Sequence, residues 1–251
     1  MQRRTRTVAV YSLKGGVGKT TIAVNLAWAA AAVSKRQTLL WDLDGQAAAS
    51  FMLGAATDAA EEAQAVFAGD VAPARMIQRT AIERLDLLPA DRSLRGLDQL
   101  FFGLGKKKRL GKLIERVGRD YDRILLDCPP GLGGTGEQVL RAADLIIVPV
   151  IPSPLSQRAF EEVVDYLDRH QLRRGALLPV FNMVDRRRSM HLAAIEAKRR
   201  WPAIPMASAI EAMSAGDAAA GRFPQRSPAV IALAELWKAI ERRLARTANG
   251  G

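Results

Sequence analysis

Seven short stretches rich in valine, isoleucine and leucine recur along the chain, and longer helical patterns separate them. The stretches are 7–12, 37–44, 84–90, 121–131, 143–152, 176–185 and 201–208. Several are apolar at consecutive positions, which is typical of strands buried on both faces of a parallel sheet. The alternation of strands and helices therefore predicts an α/β fold, with a mostly parallel, twisted sheet covered by helices on both faces.

The segments between these strands carry helical patterns of unequal strength. A helix is predicted from about 19 to 33, directly after a glycine-rich loop, whereas residues 45–82 are alanine-rich and favour helix only weakly. No internal repeat and no linker divides the chain. We therefore predict one domain over residues 1–251, with flexible ends at 1–6 and 247–251.

The last helical pattern has a clear start, with Ser227 as the predicted N-cap and Pro228 at the first helical position. One face is apolar and the other is basic: Val230, Leu233, Trp237, Ile240 and Leu244 lie opposite Lys238, Arg242 and Arg246. This pattern favours a terminal helix packed on the domain. A helix lying on a membrane surface is the alternative, although Glu235 and Glu241 oppose binding to anionic lipid.

The composition is that of a globular protein with a sizeable core: 251 residues, of which 49% are hydrophobic and 25% are charged. The single cysteine, Cys128, excludes an internal disulfide and a cysteine-ligated metal cluster, and we interpret it as a small buried residue. Two widely separated histidines argue against a histidine metal site. No signal peptide and no membrane-spanning stretch is found, so we expect a cytoplasmic protein.

The net charge of +11 favours a polyanionic partner, either nucleic acid or an anionic membrane. A soluble, arginine-rich protein without such a partner is the alternative. Basic clusters stand at 106–109, 186–188 and 198–200, with further arginines at 222, 226, 242, 243 and 246. Any single cluster is most simply a solvated face, but the set as a whole favours DNA.

Residues 11–21, YSLKGGVGKTT, combine the end of a strand, a glycine-rich loop and the start of a helix. Glycines in such a loop let consecutive backbone N–H groups surround a phosphate, and the helix start adds its dipole. We predict that Lys19 reaches the β- and γ-phosphates and that the Thr20 hydroxyl binds Mg²⁺. The predicted nucleotide-binding residues here are Gly15, Gly16, Val17, Gly18, Lys19, Thr20 and Thr21.

This loop departs from the general pattern G-x-x-x-x-G-K-[ST], because Leu13 stands at the position of the first glycine and Lys14 follows it. The sequence KGGVGKTT resembles the deviant Walker A loop of the ParA/MinD family of ATPases, K-G-G-x-G-K-[ST]. The resemblance implies a P-loop NTPase fold, with ATP and Mg²⁺ as cofactors. It also implies that Lys14 crosses a nucleotide-sandwich homodimer and contacts the phosphates bound by the other subunit, where a cation offsets the charge of two facing nucleotides.

Two further stretches match the family at strand ends. LLWDLDGQ resembles its D-x-D-P-Q stretch, which implies that Asp44 positions or activates the attacking water and that Asp42 supports the Mg²⁺ shell. Gly45 replaces the usual proline, and we expect this change to loosen the segment. RILLDCPPG resembles Walker B, which places Asp127 beside the phosphates, where it holds a magnesium-bound water.

The base pocket is predicted from VFNMVDRRR, at the end of a strand. An asparagine side chain can both donate to and accept from the adenine edge, and the resemblance assigns this role to Asn182. A turn-capping asparagine is the alternative. The segment around Pro205 resembles the one that closes the other side of the base.

Taken together, these residues predict a slow, switch-like ATPase similar to ParA, associated with the nucleoid and reset by partner-stimulated hydrolysis. Its partners would be non-specific DNA and a ParB-like or other cargo-adaptor protein. The candidate DNA contacts are Arg186, Arg187, Arg188, Arg222, Arg226, Lys238 and Arg242. A MinD-like ATPase that regulates division-site placement from the membrane is the alternative, although membrane binding is not favoured. Metallocluster carriers with a similar loop need paired cysteines, and related tyrosine kinases carry a tyrosine-rich tail.

Overall fold

The fold was determined as a computed structural model, which describes residues 5–56, 62–105, 108–171 and 177–248. Most of the predicted flexible ends, together with Lys106 and Lys107, lies outside these residues. Arg6 belongs to the first strand and the last helix continues to Ala248, so the elements reach into both predicted ends.

Eight strands form one sheet, in the order β3-β4-β2-β5-β1-β6-β7-β8. The strands are β1 (Arg6–Val10), β2 (Thr38–Asp42), β3 (Gln78–Arg79), β4 (Leu85–Leu88), β5 (Arg123–Asp127), β6 (Leu145–Val150), β7 (Leu177–Val184) and β8 (Ala203–Pro205). All neighbouring pairs are parallel except β3 with β4. The predicted α/β fold is therefore confirmed, and each of the seven predicted strands contains an observed one.

The helices cover the sheet and fill the connections between strands. They are α1 (Lys19–Trp28), α2 (Ala48–Met52), α3 (Ala63–Ala68), α4 (Pro73–Met76), α5 (Leu97–Leu104), α6 (Arg109–Val117), α7 (Gly134–Ala142), α8 (Pro154–Arg169), α9 (Ser189–Ala197), α10 (Ser208–Ala212) and α11 (Pro228–Ala248). A π-helical stretch, Ala29–Val33, extends α1 to the predicted end. Residues 45–82 are helical in part, as predicted, but β3 was missed because a two-residue edge strand has no periodicity to detect.

Two apolar layers sandwich the sheet because successive strand residues point to opposite faces. Val8 and Val10 join the layer under α1 and α11, whereas Ala9, between them, joins the layer on the other face. Trp237 is fully buried in the first layer and Trp41 in the second. Burial on both faces explains the consecutive apolar residues in these strands.

The terminal helix α11 packs on the domain, as the sequence favoured. Its five repeating apolar residues are all at most 3% exposed. Glu241 accepts two hydrogen bonds from Arg123 at the start of β5, at 2.7 Å from Nε and 2.6 Å from Nη2. The predicted side-chain cap is wrong, however: the Ser227 hydroxyl is buried without a hydrogen-bond partner among the described residues. Nowhere in that part of the chain is a helix both long and apolar enough to cross a membrane.

Candidate active site

The site lies where β2, β5 and β1 end side by side at the carboxyl edge of the sheet. Asp127, the last residue of β5, is in register with Asp42 of β2 on one side and Val10 of β1 on the other. The phosphate loop follows β1 directly. Because parallel strands end at one edge, motifs about a hundred residues apart in sequence meet here, as the strand pattern predicted.

The phosphate loop has the backbone shape that its glycines predict. Gly16 and Gly18 have φ of 70° and 81°, in the left-handed region that favours glycine, and Gly18 precedes the first residue of α1. The Lys19 side chain is buried, and its Nζ donates to the Lys14 carbonyl oxygen at 3.1 Å. Burial lowers the pKa of Lys19, while Asp127 and Asp44 act in the opposite direction and favour the ammonium.

Asp127 is a fully buried carboxylate at the base of this loop. Neither of its oxygens has a hydrogen-bond partner of ordinary geometry among the described residues. Burial, and then Asp42, raise the pKa of Asp127 well above its usual range, whereas the neighbouring Thr20 hydroxyl lowers it. A buried carboxylate with two free oxygens beside a threonine hydroxyl fits the hard oxygen ligands of Mg²⁺.

Asp42 is equally buried, but its carboxylate is fully engaged by the protein. Oδ1 accepts from the Asp44 N–H at 3.0 Å, and Oδ2 accepts from the N–H and hydroxyl of Ser50 at 2.9 and 2.7 Å. Burial raises the pKa of Asp42 to about 6 against the effect of these hydrogen bonds. In these contacts Asp42 orders the loop after β2, and its predicted support of the Mg²⁺ shell stays a prediction.

Asp44 and Gly45 continue this loop toward the phosphate loop. Asp44 is half-buried, and its Oδ1 accepts from the Gln46 N–H at 3.0 Å. Gly45 is buried, and a Cβ there would lie only 2.9 Å from both the backbone N and the Cγ of Arg95. The expectation that Gly45 loosens the segment is therefore wrong: its missing side chain is where the turn at 92–96 packs.

A cavity of about 420 Å³ opens at this edge. It is lined by Gly15, Gly16, Gly18, Lys19, Thr20, Asp44, Gln46 and Pro130. A smaller cavity of about 190 Å³ adjoins it, sharing Asp44, Gln46 and Pro130 and reaching Arg95 and Asp98. The first cavity presents backbone donors, a buried ammonium and carboxylates to one volume, which suits a phosphorylated ligand with its cation.

Three residues around these cavities were missed by sequence reasoning. Gln46 stands within the quoted DGQ stretch but received no role. Asp98 of α5 accepts from the N–H and hydroxyl of Thr135 at 2.8 and 2.7 Å, and so holds the first turn of α7, just after the Asp127 loop. Arg95 lies beside Gly45. Neither Asp98 nor Arg95 belongs to a recognisable motif, and only the fold brings them to the site.

The predicted base-pocket residues lie apart from the larger cavity and do not line it. Asn182 is 7% exposed, and its Nδ2 donates to the Val17 carbonyl oxygen at 2.8 Å. Pro205 ends β8 and pairs with Val184 of β7. The contact between Asn182 and the phosphate loop was not expected from the sequence.

The seven candidate DNA contacts are all exposed, but they differ in their partners. Three lie in local ion pairs: Arg187 with Asp185, Arg222 with Asp217, and Lys238 with Glu235. The other four form no ion pair among the described residues: Arg186, Arg188, Arg226 and Arg242. Cys128, by contrast, is buried as predicted, and burial raises the pKa of its thiol.

Within the described ranges, no three or more histidine, cysteine, aspartate or glutamate side chains form a group that could hold a metal ion. This agrees with the way proteins usually bind Mg²⁺, through one or two carboxylates plus phosphate oxygens and water. Thr20 and Asp127 are the groups placed to hold it.

Fold and site together define a nucleotide-binding protein of the P-loop class, and comparison with known proteins places it further. A family model described as an AAA domain matches residues 5–178. The chain is 31% identical to the sporulation initiation inhibitor protein Soj of Bacillus subtilis over 205 residues, which are 77% of this chain and 79% of Soj. It is 33% identical to the chromosome partitioning protein ParA of Caulobacter vibrioides over 196 residues, 74% of this chain and 72% of that protein. The chain belongs to the ParA/MinD family of ATPases.

Solved structures agree over almost the whole chain. Cobyrinic acid a,c-diamide synthase from Mycobacterium smegmatis, with bound ADP and magnesium, is 27% identical with a TM-score of 0.79, covering 96% of each chain. The cell division ATPase MinD of Pyrococcus furiosus is 25% identical with a TM-score of 0.77, covering 94% of this chain and 98% of that one.

Proposed function

We propose that this protein is a ParA-like positioning ATPase. It binds ATP and Mg²⁺, pairs with a second copy as a nucleotide-sandwich dimer, holds nucleoid DNA non-specifically and positions or segregates a cargo such as a chromosome, plasmid or protein body. The observation that carries the proposal is the buried, unpartnered Asp127 carboxylate behind a phosphate loop that ends in Lys19 and Thr20.

The phosphate loop and the two acidic strand ends supply the chemistry. Loop amides and Lys19 bind the phosphates, and Thr20 and Asp127 hold Mg²⁺, which neutralises charge as it develops on the phosphate oxygens. Asp44 lines the same cavity and orients the attacking water. Such a site works by positioning and charge stabilisation, so hydrolysis is slow until a partner completes the geometry.

Pairing of two copies is supported by the edge on which the site opens. Gly15 and Gly16 are exposed there, and Lys14 is half-exposed beside them. Large apolar side chains are also exposed in segments that follow β5, β6 and β8: Leu132 at 40%, Leu155 at 69% and Met206 at 59%. A second copy facing this edge would cover these side chains and bring Lys14 to its nucleotide.

DNA binding is supported by the four exposed arginines without an ion pair. A guanidinium free of local carboxylates can contact backbone phosphates without disrupting an existing pair. The alternative, a MinD-like function on the membrane, is less well supported, because the repeating apolar residues of α11 are buried in the domain and offer no face to lipid.

The test measures retention on DNA-cellulose and flotation with anionic liposomes, each with ATP and with ADP. We expect ATP-dependent DNA retention that the Lys19→Ala and Lys14→Ala variants lose, the first through nucleotide binding and the second through pairing. Light scattering with ATP should show a dimer for the wild type and a monomer for Lys14→Ala. Liposome binding without DNA retention would support the membrane alternative and contradict the proposal.

A matched pair of variants tests the DNA surface itself. Arg186→Ala removes a free guanidinium, whereas Arg187→Ala removes one already paired with Asp185. We expect the first to weaken DNA retention and reduce its salt dependence more than the second. Equal effects would mean that local pairing does not decide which arginines contact DNA.

The partner-stimulated step has its own variant. Asp44→Ala should leave an ATP-bound dimer that persists on DNA, because the attacking water loses its orienting carboxylate. Normal turnover in that variant would remove Asp44 from the mechanism. The same trapped protein is suited to capture the cargo adaptor.

A further inference from the structure

We propose that Asn182 is a positioning residue of the phosphate loop: its side-chain amide holds the Val17 carbonyl and so shapes the loop before any nucleotide arrives. The inference builds on the nucleotide site proposed above and assigns to Asn182 a role separate from reading the base.

The position of Asn182 depends on an irregularity in β7. Pairing between β7 and β8 shifts register between Phe181 and Val184, so the strand is irregular at 182–183. Met183 has φ of 54°, in the left-handed region that a methionine seldom occupies. In a regular strand, neighbouring side chains point to opposite faces. Here the distortion accompanies two neighbours that both reach the phosphate loop.

The contacts with the loop are close and buried. Asn182 Nδ2 donates to the Val17 carbonyl oxygen at 2.8 Å, and Val17 is 2% exposed. A Cβ on Gly18 would lie 2.4 Å from Asn182 Nδ2 and 3.3 Å from Met183 Cε. Gly18 is thus needed twice, for its φ of 81° and for the space that the Asn182 amide occupies.

The bond has a direct consequence for anion binding. A phosphate loop works by presenting N–H groups to the ligand, and a carbonyl oxygen turned into the cavity would repel a phosphate. The Val17 carbonyl is held by a donor that is itself buried, so it cannot rotate toward the cavity without breaking a buried hydrogen bond. Asn182 therefore favours the loop conformation that accepts phosphates.

This role is compatible with reading adenine. A side-chain amide has two N–H donors and one acceptor oxygen, and the bond to Val17 uses one donor. The remaining donor and the oxygen are sufficient for a base edge. One side chain would then connect recognition of the base to the shape of the phosphate loop.

The experiment separates the two roles with measurements that need no base. Hydrogen exchange of the loop peptide at 13–19 is followed in the nucleotide-free protein, for the wild type, Asn182→Ala and Asn182→Leu, the last of which restores volume without a donor. We expect loop exchange to accelerate about five- to tenfold in both variants, as the loss of one buried hydrogen bond implies, while peptides from α11 stay unchanged. Calorimetry with magnesium tripolyphosphate, which lacks a base, should show binding weakened by a similar factor of about five to ten.

Asn25→Ala is the matched control, because Asn25 Nδ2 makes a bond of the same length, 2.8 Å, to the Thr21 carbonyl within α1. It should leave loop exchange and tripolyphosphate affinity within about twofold of the wild type. The proposal is overturned if loop exchange in the Asn182 variants matches the wild type, or if they lose affinity for ATP but not for tripolyphosphate. A wild-type protein that binds no ATP would instead contradict the proposed function, and the exchange measurement would still decide the role of Asn182.

Discussion

The ends of β2 and β5 carry the same chemical group in opposite environments. Asp42 and Asp127 are both 0% exposed and are in register on neighbouring strands. The oxygens of Asp42 accept three hydrogen bonds from Asp44 and Ser50, whereas those of Asp127 accept none of ordinary geometry from the described residues. Burying a charge without partners is costly, so the two carboxylates cannot serve the same purpose.

The difference teaches which carboxylate the protein completes by itself and which one a ligand must complete. Asp42 has its full set of partners in the protein and fixes the loop that carries Asp44. Asp127 has a neighbouring Thr20 hydroxyl and a buried Lys19, and it keeps its free oxygens for an ion that arrives with the nucleotide. Local rules of polar satisfaction fail where a ligand is expected.

The largest expected effect comes from Asp127→Asn. Removing the charge should lower ATP hydrolysis about a thousandfold, equal to ~4 kcal/mol of transition-state stabilisation, because Mg²⁺ loses its carboxylate. Steady-state phosphate release with saturating Mg²⁺ measures it. Asp120→Asn, an exposed carboxylate, is the control and should hydrolyse ATP normally. Wild-type rates in Asp127→Asn would end its role as a magnesium residue.

Asp42→Ala should act on stability instead. Loss of three hydrogen bonds to one buried carboxylate is expected to lower the free energy of unfolding by about 3 kcal/mol. Urea unfolding of the nucleotide-free protein measures this change. Ser50→Ala should follow in the same direction with a smaller loss. If Asp42→Ala is as stable as the wild type, the contrast between the two strand ends is not the one described.

Gly45→Ala tests the packing that holds the Asp44 loop. Its Cβ would meet the backbone N of Arg95 at 2.9 Å, so either the loop or the turn at 92–96 must shift. We expect a loss of ~2 kcal/mol in unfolding free energy together with slower hydrolysis. Gly103→Ala in α5 is the control, since its Cβ would meet nothing within 4 Å. Unchanged stability and turnover in Gly45→Ala would show that this close approach is tolerated.

The smallest effect is a pH dependence that distinguishes Asp127 from its replacement. The pKa of Asp127 is raised in the folded protein, so the folded state keeps a proton that the unfolded chain releases near pH 4, and stability falls as pH rises above that value. Asp127→Asn lacks this titration. Without Mg²⁺ or nucleotide, its stability relative to the wild type should therefore grow by up to ~1.4 kcal/mol per pH unit above about pH 4, until the folded pKa is passed.

Urea unfolding of both proteins at pH 5, 6, 7 and 8 gives this difference directly. A difference that stays constant or shrinks with pH would contradict the raised pKa. Repeating the series with MgATP should remove the dependence, since the bound cation keeps the carboxylate charged.

The sequence alone predicted the sheet, the phosphate loop and the convergence of Lys19, Thr20 and Asp127. These features depend on local patterns, namely buried parallel strands and a strand–glycine–helix connection, and parallel strands bring their ends to one edge. Family resemblance added roles for Lys14, Asp44 and Asn182 that the fold allows and experiments must now test.

The remaining features arise from contacts between distant segments, which no local pattern encodes. The replacement of proline by Gly45 suggested a looser loop, because the sequence does not reveal that the Arg95 turn packs against it. The contact between Asn182 and Val17 depends on an irregular strand pairing. Asp98 supports α7 from another helix. Such positions become visible only when the backbone is in place.

The bidentate pair between Arg123 and Glu241 has a practical consequence. It joins the last helix to the first residue of β5, the strand whose last residue is Asp127, so the two ends of one short strand serve anchoring and catalysis. A fluorescent label attached after Ala248 leaves this anchor intact, whereas trimming the chain back past Glu241 would strip Arg123 of its carboxylate and uncover one side of the sheet. Imaging fusions should therefore preserve the whole helix, or else a diffuse signal would report damaged protein instead of its true distribution.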